Sequence, residues 1–490
     1  MNYRILFLVL ITTIYAQTNR PNIIWLVSED QSPVFFPMYG DDTVSLPNLS
    51  QLAEDSVIYD NMHATTPVCS PARSAIITGM YPTTLGTHNM RAFNEGRKTN
   101  QPQLGIPSYS PKFPDYIRPF TAYMREAGYY CTNSNKQDYN FKISDDAWDQ
   151  SCRYCKYRQK ANIHWRNRAA GQPFFAVFNF QITHESQIWK QHNNKRYVTP
   201  DEVTNIPPYF PNDPIIRADM AINYSNLVRM DKEIGAIISE LKEQGLYDNT
   251  YIFFYSDHGG PFPRHKRAIY DSGTKVPLMI KLPKNANAGN RNDDLWSFVD
   301  LAPTVLQLAQ IPLPNYLQGM SILDKKTKPR KYLVTASDRF DGQVDRIRSI
   351  KTKRYKLIKN YDVSIPHALD VKYRKKMPMM RRMITLSEKG LLDKNAQRWF
   401  DTPKAAIEFY DLQKDPFELN NLADKASYRK KLRKFNNLLE QWIIDTHDLG
   451  RLPEQEIIDY SVNWLFSISQ KIVLIRLSLI HISEPTRPSQ

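Results

Sequence analysis

Three nearly continuous apolar runs leave this chain few architectures. Asn22-Ile23-Ile24-Trp25-Leu26-Val27-Ser28 ends in Glu29-Asp30, and Phe174-Phe175-Ala176-Val177-Phe178-Asn179-Phe180 leads to Thr183-His184-Glu185. The third, Tyr251-Ile252-Phe253-Phe254-Tyr255-Ser256, ends in Asp257-His258-Gly259-Gly260. Runs of this length with little polar alternation predict strands buried on both faces, as in a parallel sheet. Open α/β sheets bind ligands beyond the carboxyl ends of their strands. All three runs place ionisable residues there.

Between the runs, Ile216, Met220, Leu227, Ile234, Ile237, Ile238 and Leu241 mark one stripe of a long amphipathic helix that stops near Gly245. Residues 295–308 read as another helix, which Pro303 should break or kink. Residues 276–280 read as a strand. This alternation predicts a layered α/β domain over residues 20–335. From residue 336 the pattern changes to a hairpin turning near Thr352-Lys353, a strand at 409–412 and a turn at Asp415-Pro416. A helix through Leu432, Phe435, Leu438, Leu439 and Trp442 follows, to about Thr446. These predict a smaller α+β domain with an antiparallel sheet over residues 336–465. With 490 residues, 41% of them hydrophobic, the chain can fill both cores.

The N-terminus suggests export. A short basic start (Met1 to Arg4), an apolar stretch from Ile5 to Ile14 and a small-residue zone at Ala16-Gln17 read as a signal peptide over residues 1–17. The implied destination is lysosomal, extracellular or periplasmic, depending on the host. Asn48-Leu49-Ser50 and Asn223-Tyr224-Ser225 are candidate glycan acceptors in a eukaryote, which would make the chain a glycoprotein. The tail over residues 466–490 is too short and too interrupted by Arg476 to span a bilayer, and part of it looks like translated sequencing-adapter read-through. Four cysteines exclude a disulfide scaffold; Cys131, Cys152 and Cys155 allow one disulfide and one free thiol. The net charge of +15 favours an anionic partner, and export argues against nucleic acid. Residues 346–382 alone hold 13 Lys and Arg against two Asp, either a solvated hairpin and loop or a basic wall for a polyanion.

The sharpest chemical signal is Cys69-Ser70-Pro71-Ala72-Arg73 followed by Ser74-Ala75-Ile76-Ile77-Thr78-Gly79. Pro71 suits the first turn of a helix, so Cys69 would sit at a helix N-terminus, where backbone N–H groups favour an anion. This element resembles the signature of the sulfatase family, Cys-x-Pro-x-Arg with a following Thr-Gly, and the resemblance extends from Pro21 to about Asp448. It implies an alkaline-phosphatase-like α/β fold, with a large mixed sheet flanked by helices and a smaller C-terminal antiparallel sheet. It also implies that a formylglycine-generating enzyme oxidises Cys69 to formylglycine, whose hydrated aldehyde is the nucleophile.

The same resemblance implies one calcium ion held by Glu29, Asp30, position 69, Asp257 and His258, although Glu29 is longer than the family's usual Asp. Glu29-Asp30 also reads as a helix cap and Asp257-His258-Gly259 as a turn, but their shared place after apolar strands favours a metal site. Arg73, Lys136, His184 and Lys266 match the family's catalytic and sulfate-binding positions, with His184 the candidate acid for the leaving group. His88, Arg91 and Asp138 are candidates for the substrate pocket. Asp138 stands where the family's Lys-x-His element carries a histidine.

Within the family the later segments resemble the N-sulfoglucosamine sulfohydrolases, which implies removal of the N-sulfate of glucosamine in heparan sulfate or heparin. A glycan O-sulfatase, a phosphoester hydrolase of the same superfamily and an inactive glycan-binding homologue stay open. The expected partner is a sulfated glycosaminoglycan, with no nucleic acid and no membrane span. Oligomeric state is open, a homodimer included.

Overall fold

The computed structural model describes residues 20–93, 104–152 and 162–460. The expected signal peptide over 1–17, Cys155 and the tail over 466–490 lie outside these residues. Nine strands form one mixed sheet: β1 (Asn22–Ser28), β2 (Val57–His63), β3 (Tyr130–Asn133), β4 (Gln150–Ser151), β5 (Phe174–Phe180), β6 (Thr250–Ser256), β7 (Lys275–Lys281), β8 (Arg291–Asn292) and β9 (Trp296–Ser297). Their order is β4-β3-β5-β1-β6-β7-β2-β8, with β9 also on β2. The three apolar runs are the adjacent parallel strands β5, β1 and β6. Residues 276–280 do form a strand, β7, but it runs antiparallel to both β6 and β2.

Trp25 on β1 centres the packing on one face of these strands. Its indole meets Phe175 edge-on at 4.9 Å and Tyr255 at 5.4 Å, contacts each contributing about 0.5–1.5 kcal/mol beyond area burial. The opposite face is covered by the helix Pro214–Glu243. Pro214 opens that helix, the Asp213 side chain accepts the Ile215 N–H, and Gly245 follows it at φ 66°. The seven stripe residues predicted for it are buried, except for half-buried Ile237.

The helix expected over 295–308 is shorter. Residues 296–297 are strand β9, a 3-10 turn covers Phe298–Asp300, and the helix is Leu301–Leu308. Pro303 therefore lies in the first turn, where no intrahelical N–H bond is lost. A second, antiparallel sheet has the order β10 (Leu333–Phe340), β11 (Gln343–Lys351), β12 (Tyr355–Asn360) and β13 (Ile407–Asp411). The helix Arg429–Asp445 packs on it through Phe435, Leu439 and Trp442. One apolar cluster runs from Trp25 through Val305 to Leu357 and Phe409, so both sheets share a core.

Several groups expected at the surface lie inside. Asn223 is fully buried and its amide donates to Gln31 Oε1, so that sequon is not offered to a glycan; Asn48 is half-buried, with its amide donating to Asp231 at 2.8 Å. The basic segment 346–382 is not a continuous wall either. Arg348 is buried against Asp448 and Asp338, Lys351 and Lys356 against Asp271, and Arg374 against Glu185. Lys353, Arg354, Lys372, Lys375, Lys376 and Arg381 are exposed, split between the hairpin turn and residues 372–381. Cys152 is disulfide-bonded and Cys131 is a buried free thiol.

Asp219, fully buried on the helix Pro214–Glu243, has one oxygen accepting the Met379 N–H at 2.7 Å and the other unpartnered. Burial pushes its pKa up to about 7, against weaker opposition from the Met379 N–H and Arg381. A carboxyl raised on folding adds stability fully below its unfolded pKa near 4, and that stability is lost as pH rises towards 7. Asp219→Asn is expected to flatten the fall in thermal stability between pH 5 and 8. At pH 8 it should stabilise the fold by on the order of 2 kcal/mol. Parallel pH–Tm curves for the two proteins would overturn this.

Candidate active site

The register of the central strands assembles the site. Ser28 lies opposite both Phe180 and Ser256, so β1, β5 and β6 end level and Glu29-Asp30, His184-Glu185 and Asp257-His258 emerge side by side. Asp30, at φ 54°, turns back so that its N–H donates to Asp257 Oδ1 and its Oδ2 accepts the Glu185 N–H at 2.7 Å. The helix Cys69–Thr78 points its first residue into this cluster and ends at Gly79, φ 68°. The left-handed backbone at Gly79 favours glycine there, and a Cβ would also press on the tip of the Leu317 side chain at 2.6 Å.

The loop after β6 folds back on itself. Gly259 N–H donates to Gly273 O, and a Cβ on Gly259 would stand 2.1 Å from Ser272 O. That closure returns Lys266 to the strand ends. Its Nζ donates to Asp30 Oδ1 and Oδ2 at 2.9 and 2.8 Å and lies 3.3 Å from Cys69 Sγ and 3.2 Å from His184 Nε2. His258 Nε2 approaches Cys69 Sγ at 3.3 Å and Asp30 Oδ1 at 3.0 Å.

Arg73, one turn along the helix, donates Nε to Asp257 Oδ2 at 3.0 Å and Nη1 to Asn179 Oδ1 at 2.8 Å. Lys136 Nζ donates to Glu29 Oε2 at 2.7 Å and lies 3.7 Å from Asp257. Burial pulls the Lys136 pKa down, but Cys69 and Glu29 outweigh it and hold the ammonium charged. Glu185 is gripped by Arg267, Lys266 and Arg374. Five acids (Glu29, Asp30, Asp138, Glu185, Asp257) and five bases (Arg73, Lys136, Lys266, Arg267, Arg374) are thus buried around one cysteine. So many desolvated charges are costly for stability and mark a functional centre.

The ligand atoms of Asp30, Cys69, Asp257 and His258 all lie within 4.8 Å of one another. Burial would lower the His258 pKa, yet Asp257 and Asp30 push it up to about 10, so the carboxylates call for positive charge at this point. His258 Nδ1 lies 2.9 Å from Gly259 O, an acceptor that orients the ring with Nε2 towards the carboxylates. This donor set fits a divalent cation. Glu29 lies beside the group, on Lys136 and 3.9 Å from Arg73, with Oε1 buried and without a hydrogen-bond partner.

The other pocket candidates separate. Asp138 accepts Ser70 Oγ–H at 2.8 Å; burial would raise it, but Lys136 and Arg91 hold it ionised. Arg91 is half-buried, 3.8 Å from Asp341. His88 is buried, with Nδ1 unpartnered. His184 is held neutral, by burial first and by Lys266 next, and its Nδ1 meets Ser186 Oγ at 2.9 Å. Sequence reasoning gave no role to Asn179, Glu185, Arg267 or Arg374. Glu185 follows His184 directly, whereas Arg374 comes from the segment between β12 and β13, where it is one of many basic residues.

Comparison with known proteins places this geometry. The family model for sulfatases matches residues 21–311, and the model for the C-terminal region of N-sulphoglucosamine sulphohydrolase matches residues 260–382. An ulvan-active sulfatase of Formosa agariphila is 40% identical over 475 residues, covering 90% of this chain and 77% of the relative. Human N-sulphoglucosamine sulphohydrolase is 25% identical over 465 residues, covering 88% and 91%. A structure solved in complex with its substrate D-glucosamine-2-N,6-O-disulfate superposes with a TM-score of 0.61 at 19% identity, covering 88% of this chain and 98% of the other, and supports the fold. With Cys69 leading its helix among paired carboxylates and lysines, and with the family model matching across more than half its length, the chain belongs to the sulfatase family of hydrolases.

Proposed function

We propose that this chain is an exported glycan sulfatase that uses formylglycine at position 69 and a divalent cation, calcium by family resemblance. The observation that carries the reading is the convergence of Cys69, Asp30, Asp257, His258 and Lys266 within one buried cluster at a helix N-terminus. Asp30, Asp257, His258 and position 69 would hold the cation, which polarises sulfate oxygens and favours the ionised nucleophile. Conversion of Cys69 by a formylglycine-generating enzyme supplies a hydrated aldehyde, able to attack sulfur through one oxygen and to expel sulfate through the other. Arg73, through Asp257 and Asn179, keeps the helix N-terminus registered against the strand ends. Lys136 and Lys266 offer ammonium groups to the charge that develops on sulfate oxygens. The proton for the leaving group is shared by Lys266 Nζ and His184 Nε2, 3.2 Å apart, with the ammonium charged and the imidazole neutral.

The substrate reading favours an O-sulfate ester on a sulfated polysaccharide of the ulvan kind, supported by 40% identity to the ulvan-active relative against 25% to the human sulfamidase. The N-sulfate of glucosamine is the second reading, favoured by the match of residues 260–382 to the sulphohydrolase C-terminal model. Formylglycine-converted enzyme should be given ulvan oligosaccharides, N-sulfoglucosamine, 6-O-sulfated glucosamine, an aryl sulfate and an aryl phosphate. Sulfate release from the ulvan oligosaccharides is expected to exceed that from N-sulfoglucosamine by about 10-fold or more in kcat/KM. The reverse order would establish the second reading. Phosphate release without any sulfate release would sink both.

A further inference from the structure

Almost every group around Cys69 is sealed from water. Asp30, Asp257, His258 and Lys266 are at most 1% exposed, whereas the His184 side chain keeps 14% of its surface open. His184 therefore marks the side from which substrate arrives and the leaving group departs. Two aromatic residues stand on that side. The Tyr373 ring centroid lies 6.5 Å from that of His184, and Trp189 meets Tyr373 edge-on at 5.2 Å and 77°. Both are only partly buried.

Tyr373 packs against the apolar patch of Val68, Met90 and Val371 that backs Cys69, so its ring is tied to the nucleophile's own surroundings. Its neighbour Arg374 anchors the segment by donating to Phe262 O at 3.1 Å and reaching Glu185 at 3.4 Å. Lys376 Nζ lies over the Tyr373 ring, 5.3 Å from its centroid. An anchored aromatic pair beside the proton-bearing groups, with one ammonium against it, matches one ligand chemistry. The C–H face of a pyranose stacks on the aromatic surface left open, while an anionic substituent on the same or the next sugar meets the ammonium.

We propose that Tyr373 and Trp189 form the platform for the sugar ring that leaves as sulfate is cut, and that Lys376 reads an anionic substituent on the glycan. The platform rests on the glycan-sulfatase reading and deepens it. It makes the second sheet's domain, through residues 373–376, responsible for choosing the sugar, while the strand ends of the first choose the sulfate. Tyr373→Ala, Tyr373→Phe and Trp189→Ala test it in the full-length converted enzyme, with two probes. KM and kcat are read on ulvan oligosaccharides and in parallel on heparin oligosaccharides, and inhibition by inorganic sulfate reports the sulfate pocket alone.

Tyr373→Ala and Trp189→Ala are expected to raise KM for whichever oligosaccharide the enzyme cleaves by about 10-fold, leaving the sulfate inhibition constant within twofold. Tyr373→Phe, which keeps the ring, should stay within about threefold of the parent. An unchanged oligosaccharide KM in both Ala variants overturns the platform. So does an equal rise in oligosaccharide KM and sulfate inhibition constant, the mark of a merely structural role. Parent enzyme that cleaves neither oligosaccharide overturns the underlying reading instead, before any variant is compared.

Discussion

Cys69→Ala is expected to lower sulfate release by on the order of 10⁴-fold or more and to leave the fold intact. The side chain is 1% exposed, and its partners are site groups, Lys266, His258 and Asp30, not a ladder or a cap. The helix begins with the N-cap Val68, makes no side-chain cap bond and ends at Gly79, so none of its ordering depends on sulfur. Mass spectrometry of the peptide containing Cys69 should show the aldehyde in active enzyme and an unmodified thiol in protein made without the converting enzyme. Activity of the Ala variant within tenfold of the parent would remove Cys69 from the mechanism. A thiol alone in protein from the native host would favour an inactive glycan-binding role.

Asp257→Asn is expected to cost turnover on the order of 10³-fold, because Asp257 serves three neighbours at once. Its Oδ1 accepts the Asp30 N–H, its Oδ2 binds Arg73, and one of its oxygens belongs to the candidate metal group. Burial would raise its pKa, but His258, Arg73 and Lys136 outweigh that and hold it well below the usual carboxylate range, so it is ionised at every working pH. A neutral amide leaves Arg73 with only Glu29 at 3.9 Å as an anionic partner. Breaking such a buried pair costs about 3–5 kcal/mol, so a lower Tm should accompany the loss. Two further readouts separate chemistry from stability. After chelation, added calcium should raise the Tm of the parent by mass action and leave that of the variant unmoved. Near-UV circular dichroism at low temperature should report native packing in both. A variant that keeps both its calcium response and activity within tenfold would exclude Asp257 from the metal centre.

How much of this was legible in sequence follows from which interactions are local. The strands β1, β5 and β6 could be read because burial on both faces demands an unbroken apolar run. The thirty-residue helix could be read because one face repeats with the helical period. The helix over 295–308 was over-extended because periodicity does not distinguish a short buried strand from the turn before a helix, and only the position of Pro303 tells them apart. The burial of Asn223 and of four of the Lys and Arg in residues 346–382 is not legible in sequence for a related reason. Composition reports how many charges a segment holds, not where their partners lie. Asp448, Asp271 and Glu185 come from distant segments and draw Arg348, Lys351, Lys356 and Arg374 inward.

By itself the sequence determined the chemistry's residue types and their anchoring. Cysteine, proline and arginine at fixed spacing open a helix, and acids follow apolar strands, because both patterns are set within a few residues of chain. Tertiary structure decided what those groups do to one another. Only the level ends of three strands bring Asp30, Asp257 and His258 to Cys69, and only the folded-back loop after β6 returns Lys266 to within 3.3 Å of its sulfur. Tyr373, more than 300 residues from Cys69, reaches the rim of the site through the docking of the second sheet. Side-chain charges interact over a few ångströms, and the chain distances that separate these residues say nothing about that scale until the fold closes it.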